Sequence, residues 1–155
     1  MTTRSSRGNV NNLERFVNAQ NDHPIEQVFS ELENGAKVGH WMWYIFPQVE
    51  GLGESATSEE FAIFSLAEAK AYLAHPLLGA RLRKCSELVN KIRGRTVEEI
   101  FQYPDNLKFR SSMTLFAHVT SENRVFLEAI RKYFGGKFDP LTTKWLANRM
   151  RDDKK

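Results

Sequence analysis

Disulfide chemistry is missing from this chain of 155 residues. Its one cysteine, Cys85, excludes an internal disulfide framework and fits a reducing compartment. Cys85 falls within an apolar periodic pattern and reads as a packed core thiol. No apolar run approaches the roughly 18 residues that a bilayer span requires. The opening stretch "MTTRSSRGNVNN" has no apolar segment of the kind a secretory signal carries. The expected location is therefore the cytoplasm, with no membrane partner. Internal repeats and low-complexity tracts are also lacking, and 41% hydrophobic residues in a chain of this length suit one self-sufficient core.

Metal-ligand spacing is absent too. His23, His40, His75 and His118 form no H-E-x-x-H or His-x-x-x-His pattern, and one cysteine cannot make a C-x-x-C pair. No metal and no cofactor are expected. There is no G-x-S-x-G elbow to mark a serine nucleophile. Positive charge is scarce where a nucleic acid would need it. The formal net charge is +3, but Arg4 and Arg7 in residues 1–12 and an excess of three in residues 144–155 leave the body at −2. A nucleic-acid binder concentrates its basic excess on the folded body, so no nucleic-acid partner is expected. Arg81, Arg83, Lys84, Lys91, Arg93 and Arg95 read as the solvated side of an amphipathic helix.

What is present is helical punctuation. Leu13, Phe16 and Val17 form a first apolar face after Asn11-Asn12. Pro24 suits a first helical position, with Ile25, Val28, Phe29 and Leu32 on one face and Gly35 as the stop. Ser65 with Glu68, and Thr96 with Glu99, have capping-box spacing. Pro76 opens a helix with Leu78, Leu82, Cys85, Leu88, Val89 and Ile92 inward, ending at Gly94; His75-Pro76 is a helix junction. Asp105 is placed to cap a helix carrying Leu115, Phe116 and Val119, and Gly135-Gly136 closes the next. Asp139-Pro140 starts the last, with Leu141, Trp145 and Leu146 inward. No set of alternating strands is evident. The expectation is an all-α fold, one domain of about seven or eight helices over 13–147. A disordered tail is expected at 1–12 and a charged tail at 148–155.

The one interval without helical pattern is 37–58. It begins with "GHWMWYIFPQ", where Trp41, Trp43, Tyr44 and Phe46 crowd together, and continues as the glycine-rich "VEGLGESATS". A long irregular loop in a helical domain is a common place for function. Met42, Ile45 and Phe46 read as core. His40, Trp41, Trp43, Tyr44 and Gln48 carry polar tips on large or apolar frames, the usual lining of small-molecule pockets. Gly51 and Gly53 read either as a tight turn or as a backbone nest for phosphate, near a helix start at Ser58-Glu59-Glu60. In "DNLKFRSSMTLF", Lys108 lies one helical turn from Ser111 and Ser112, a spacing that can hold phosphate; alternatively the serines permit close helix approach while Lys108 reaches solvent. If a glycosidic bond is cut, Glu50 or Glu54 is the candidate general base, because that chemistry needs a carboxylate to activate water.

The stretches "HWMWYIFPQVEGLGESATSEEFAIFSLAEAKAYLAHPLLGARL" and "LKFRSSMTLFAHV", with "FVNAQ" before and "FDPLTTKWL" after, resemble a bacterial family catalogued as domain of unknown function 1810. Its members are sometimes mislabelled as calpastatin. The resemblance covers about 13–146 and implies a compact, mainly helical fold without an established activity. A more distant likeness, through the aromatic-Pro segment and the later Lys-x-x-x-Ser-Met, is to the NADAR superfamily. That likeness implies N-glycosidic chemistry on ADP-ribose-like or riboflavin-pathway compounds, although no clear match to its acidic motif follows the proline here. The resulting expectation is a small nucleotide- or ribose-phosphate-like ligand held by His40, Trp41, Trp43, Tyr44, Gln48, Gly51, Gly53, Lys108, Ser111 and Ser112. The alternative is a non-enzymatic interaction or homo-oligomerisation module.

Overall fold

The computed structural model describes residues 12–153; the expected tail over 1–12 lies almost wholly outside the described residues. The fold is all-α, with ten helices and no strand among the described residues. In chain order they are α1 Glu14–Asp22, α2 Ile25–Glu33, α3 Met42–Ile45, α4 Ala56–Glu60, α5 Leu66–Ala74, α6 Leu78–Lys91, α7 Val97–Phe101, α8 Asp105–His118, α9 Arg124–Phe134 and α10 Pro140–Asp153. The count exceeds the expected seven or eight because the irregular interval contains two short helices, α3 and α4. Four or five residues are too few to display a helical period.

The punctuation mostly acts where the sequence places it. Gly35 follows α2 with a φ of +78°, and Gly135 ends α9 in the left-handed region, conformations that favour glycine. The Thr96–Glu99 box is complete, each residue binding the other's backbone N–H. The Ser65–Glu68 box is half made. Ser65 Oγ accepts from Glu68 N, but the Glu68 carboxylate accepts instead from Phe64 N at 2.8 Å and from Arg15 at 3.0 Å. Arg15 also donates to the carbonyls of Glu60 and Ala62, so it ties α1 to the chain leading into α5. Four starts shift by a few residues, among them that of α6, which begins at Leu78 rather than Pro76. Pro24 is the N-cap of α2 rather than its first residue, Pro104 precedes α8 with Asp105 inside it, and Ser55 rather than Ser58 caps α4. The His75-Pro76 junction is capped by the imidazole itself, whose Nδ1 accepts from Leu77 N and Leu78 N. The expected boundary at 147 falls inside α10, which runs on to Asp153.

Helix α8 is the axis of the domain. It packs against α5, α7, α9 and α10, and nine of its fourteen residues are buried. A helix covered on all sides must use small side chains where neighbours come close, and any polar atom there needs a local partner. Ser111 Oγ donates to Leu107 O and Thr114 Oγ1 to Arg110 O, each one turn back. Phe46, Phe101 and Phe109 form an aromatic knot on one side, with Phe101 and Phe109 stacked at 4.7 Å. On another side Tyr72 is fully buried, donating to Tyr44 O; Gln20 donates to the same carbonyl and receives Arg81 at 3.1 Å. Where α5 meets α6, a Cβ on Gly79 would lie 1.9 Å from Leu73 O.

Two outcomes follow. Gly79→Ala must push α5 and α6 apart and is expected to cost about 3 kcal/mol, measured by urea unfolding. Burial pushes the Cys85 thiol up to about 12, although Arg81 and Lys84 act in the opposite sense. Native protein at pH 8 is therefore expected to resist a thiol reagent such as DTNB for hours, while denatured protein reacts within minutes.

Candidate functional site

The segment after α2 is anchored by a carboxylate. Glu31 lies on the apolar face of α2, one turn beyond Val28, and is 8% exposed. Its Oε1 accepts from Val38 N at 2.8 Å, Gly39 N at 3.0 Å and the Trp41 indole N–H at 2.9 Å. Burial alone would raise its pKa, but the donors of Gly39, Val38, Trp41 and Gln27 favour the anion, and the net shift is downward. Trp41, expected among ligand-facing residues, is instead fully buried as part of the core. Its N–H is spent on Glu31. His40, beside it, is exposed.

Past Trp41 the short helix α3 leads to Phe46. An isolated parallel bridge between Val49 and Ile63 then fixes the chain, with Ile63 N donating to Gln48 O and Glu50 N to Ile63 O. This presents Gln48 and Leu52 toward the start of α8. The loop before α10 approaches from a third direction. Arg110 donates to the carbonyls of Lys137 and Phe138, and Asp139 N donates to Thr114 Oγ1. Asp139 caps α10 as expected, its Oδ2 accepting from both Thr142 N and Thr142 Oγ1.

Between these three walls lies a cavity of about 220 Å³, lined by Gln48, Leu52, Pro104, Leu107, Lys108, Ser111, Asp139 and Leu141. Three expected site residues, Gln48, Lys108 and Ser111, thus meet in one cleft. Lys108 Nζ stands 4.7 Å from the centroid of the half-buried Trp43 ring and 3.5 Å from Asp105. Lys37 holds Asp105 more closely, at 2.8 Å, and also lies over Trp41. Lys37 and Lys108 thus share one carboxylate, and the three groups together carry one positive charge in excess.

The other expected residues do not line the cleft. Tyr44 packs its half-buried ring on Phe61, and burial together with nearby Asp22 raises its pKa. Ser112 is fully buried, and neither its hydroxyl nor the Trp43 N–H has a hydrogen-bond partner among the described residues. Gly51 has a φ of +86° with open space around it, as a turn requires. Gly53 is needed for space, since a Cβ there would lie 2.5 Å from Ser58 Oγ. Glu50 is engaged with Arg149 at 2.6 Å and Trp145 Nε1 at 3.4 Å, so it fastens the loop to α10. Glu54 is exposed.

Sequence reasoning missed Leu52, Pro104, Leu107, Asp139 and Leu141 as cleft residues. Leu141, expected inward, is 62% exposed, because the buried face of α10 is made by Thr142, Trp145 and Leu146 and Leu141 lies to one side of it. Sequence reasoning also passed over Glu31, whose signal was an acid on an otherwise apolar helix face. Among the described residues no group of His, Cys, Asp and Glu could hold a metal, and no helix is long and apolar enough to cross a membrane.

The fold and cleft define an all-α domain whose recess, lined by four polar and four apolar side chains, is built from one loop and the starts of two helices. The chain belongs to the family described as protein of unknown function (DUF1810), whose model matches residues 10–146. It is similar to the crystal structure of the conserved hypothetical protein Rv1873 from Mycobacterium tuberculosis, with 50% identity and a TM-score of 0.86, covering 90% of this chain and 99% of that one. No curated protein matches it.

The depressed Glu31 pKa has a definite signature. An unfolded carboxyl titrates near 4.5. The stabilisation from Glu31 is therefore complete above that value and is lost as pH falls through the lower folded value. Urea unfolding of Glu31→Gln is expected to show a loss of roughly 2 kcal/mol at pH 7, narrowing toward pH 3.

Proposed function

We propose that this protein binds a small nucleotide- or ribose-phosphate-like ligand in the cleft between the 48–52 loop, α8 and α10. The observation that carries the reading is the convergence of Gln48, Lys108, Ser111 and Asp139, from three separate parts of the chain, on one recess. Lys108 supplies an ammonium for phosphate, assisted by the first turns of α8 and α10, whose dipoles favour an anion. Asp139 accepts hydrogen bonds from sugar hydroxyls through Oδ1, the oxygen that Thr142 does not engage, and Gln48 and Ser111 supply neutral ones.

The reading stops at binding. Hydrolysis of an N-glycosidic bond, the finer expectation, needs a carboxylate free to activate water beside the sugar. Glu50 is engaged with Arg149, Glu54 is exposed away from the lining, and Asp139 is tied to Thr142. A second reading, an interaction module, draws on the exposure of Val38, Tyr103, Leu107 and Leu141. It predicts a concentration-dependent dimer.

Thermal shift and calorimetry against inorganic phosphate, ribose 5-phosphate and ADP-ribose test the binding reading. A ligand at a hundredfold excess over its Kd stabilises by about 2.7 kcal/mol, or about 8 °C in a domain of this size. Lys108→Ala is expected to abolish the shift while keeping the helical circular dichroism of the parent. Absence of any saturable shift, or a shift that survives Lys108→Ala, overturns the reading.

A further inference from the structure

Hydrogen bonds already made fix what each polar group of the recess can still offer. Asp139 Oδ2 accepts from Thr142 N at 2.9 Å and from Thr142 Oγ1 at 2.6 Å, while Asp139 N donates to Thr114 Oγ1 on α8. The residue is thus held through its backbone and one oxygen. Its other oxygen, Oδ1, has no partner among the described residues and is not sealed in the interior. Ser111 donates its one hydroxyl proton to Leu107 O at 3.1 Å, so toward the recess it can only accept. Gln48 can do either, and Lys108 brings the positive charge of the lining. The recess, at about 220 Å³, is below the range of about 300–1,000 Å³ that holds a drug-sized ligand, which suits a single sugar phosphate.

Resting on the binding reading above, we infer that the ligand carries a free vicinal diol and that Asp139 selects ribose over 2-deoxyribose. Each hydroxyl donates one proton, and a carboxylate oxygen has two acceptor sites. Oδ1 can take both hydroxyls of a vicinal pair, or take one while Ser111 Oγ takes the other. Hydrogen bonds to an ionised acceptor are shorter and roughly twice as strong as neutral ones. A 2-deoxy sugar has no vicinal pair, so one of these acceptors then faces carbon in place of a donor. Charge sets the orientation. Lys108 and Asp139 line the same small recess with opposite signs, so the phosphate is drawn to the lysine and kept away from the carboxylate. The hydroxyl end is left to Asp139, and a phosphate on the diol itself is excluded.

The test is a matched calorimetric comparison of ribose 5-phosphate and 2-deoxyribose 5-phosphate on the intact chain. Wild type should bind the ribose compound about tenfold or more tightly, the usual value of a hydrogen bond to a charged group. Asp139→Asn keeps an oxygen for the cap of α10, since asparagine caps as well as aspartate, and puts an amide donor where Oδ1 stood. It should bring the two affinities within about twofold of each other, without weakening the deoxy compound. Equal affinity of wild type for the two ligands, or a preference that survives Asp139→Asn, overturns the inference, while Lys108-dependent binding of ribose 5-phosphate still upholds the binding reading. Loss of both ligands by Asp139→Asn with unchanged circular dichroism also overturns it, because Asp139 then acts on the whole recess and not on the diol. If neither ligand binds in a Lys108-dependent manner, both readings fall.

Discussion

One carboxylate oxygen organises the irregular half of this domain. Glu31 Oε1 accepts three donors from the short stretch 38–41, and without it two backbone N–H groups and the indole N–H of a fully buried tryptophan would lose their partner. Buried donors left without acceptors cost more than the hydrogen bonds contribute when made, so the geometry of this stretch is strongly specified. Lys37 acts on the same stretch from the other side, donating to Gly39 O while pairing with Asp105 at the start of α8. Once Trp41 is fixed, α3 follows, Phe46 reaches Phe101 and Phe109, and the Val49–Ile63 bridge sets the loop that carries Gln48. The recess thus inherits its first wall from a residue that does not touch it.

That dependence explains what could be read from the sequence. Helices α2, α6 and α9 announce themselves because a long apolar face and a glycine stop are local properties. The Thr96–Glu99 box is equally local. The fate of "GHWMWYIFPQ" is not local. Trp41 and Trp43 look alike in the chain, yet one is sealed against Glu31 and the other stands half-buried beneath Lys108. The difference lies in what approaches from α2 and α8. Glu31 nevertheless left a trace, as an acid three residues after Val28 on a face otherwise made of Ile25, Val28 and Leu32. Such a residue signals a buried acceptor and directs attention to donors nearby.

The poor helix formers in "RSSMT" have two explanations, and the structure separates them by residue. Thr114 and Ser111 bond back along α8, and Thr114 also receives Asp139 N, so its hydroxyl helps pin the approach to α10. These roles follow from the axial position of α8, where bulky side chains would exclude its neighbours. Ser111 alone of the group also borders the cleft. The broken propensity therefore marks the centre of the fold first and the site second.

Glu50 carries the last step. Read in sequence, an acid beside a glycine-rich loop suggests a catalytic base; in space it is a clasp between that loop and Arg149 and Trp145 on α10. Both side chains of the Glu50–Arg149 pair remain about one-third exposed, at 34% each, so the clasp contributes only modestly to global stability. Its location gives it a different kind of influence. The loop supplies Gln48 and Leu52 to the cleft, and α10 supplies Leu141. The pair lines none of the recess, so it bears on the site only through how the loop is seated against α10.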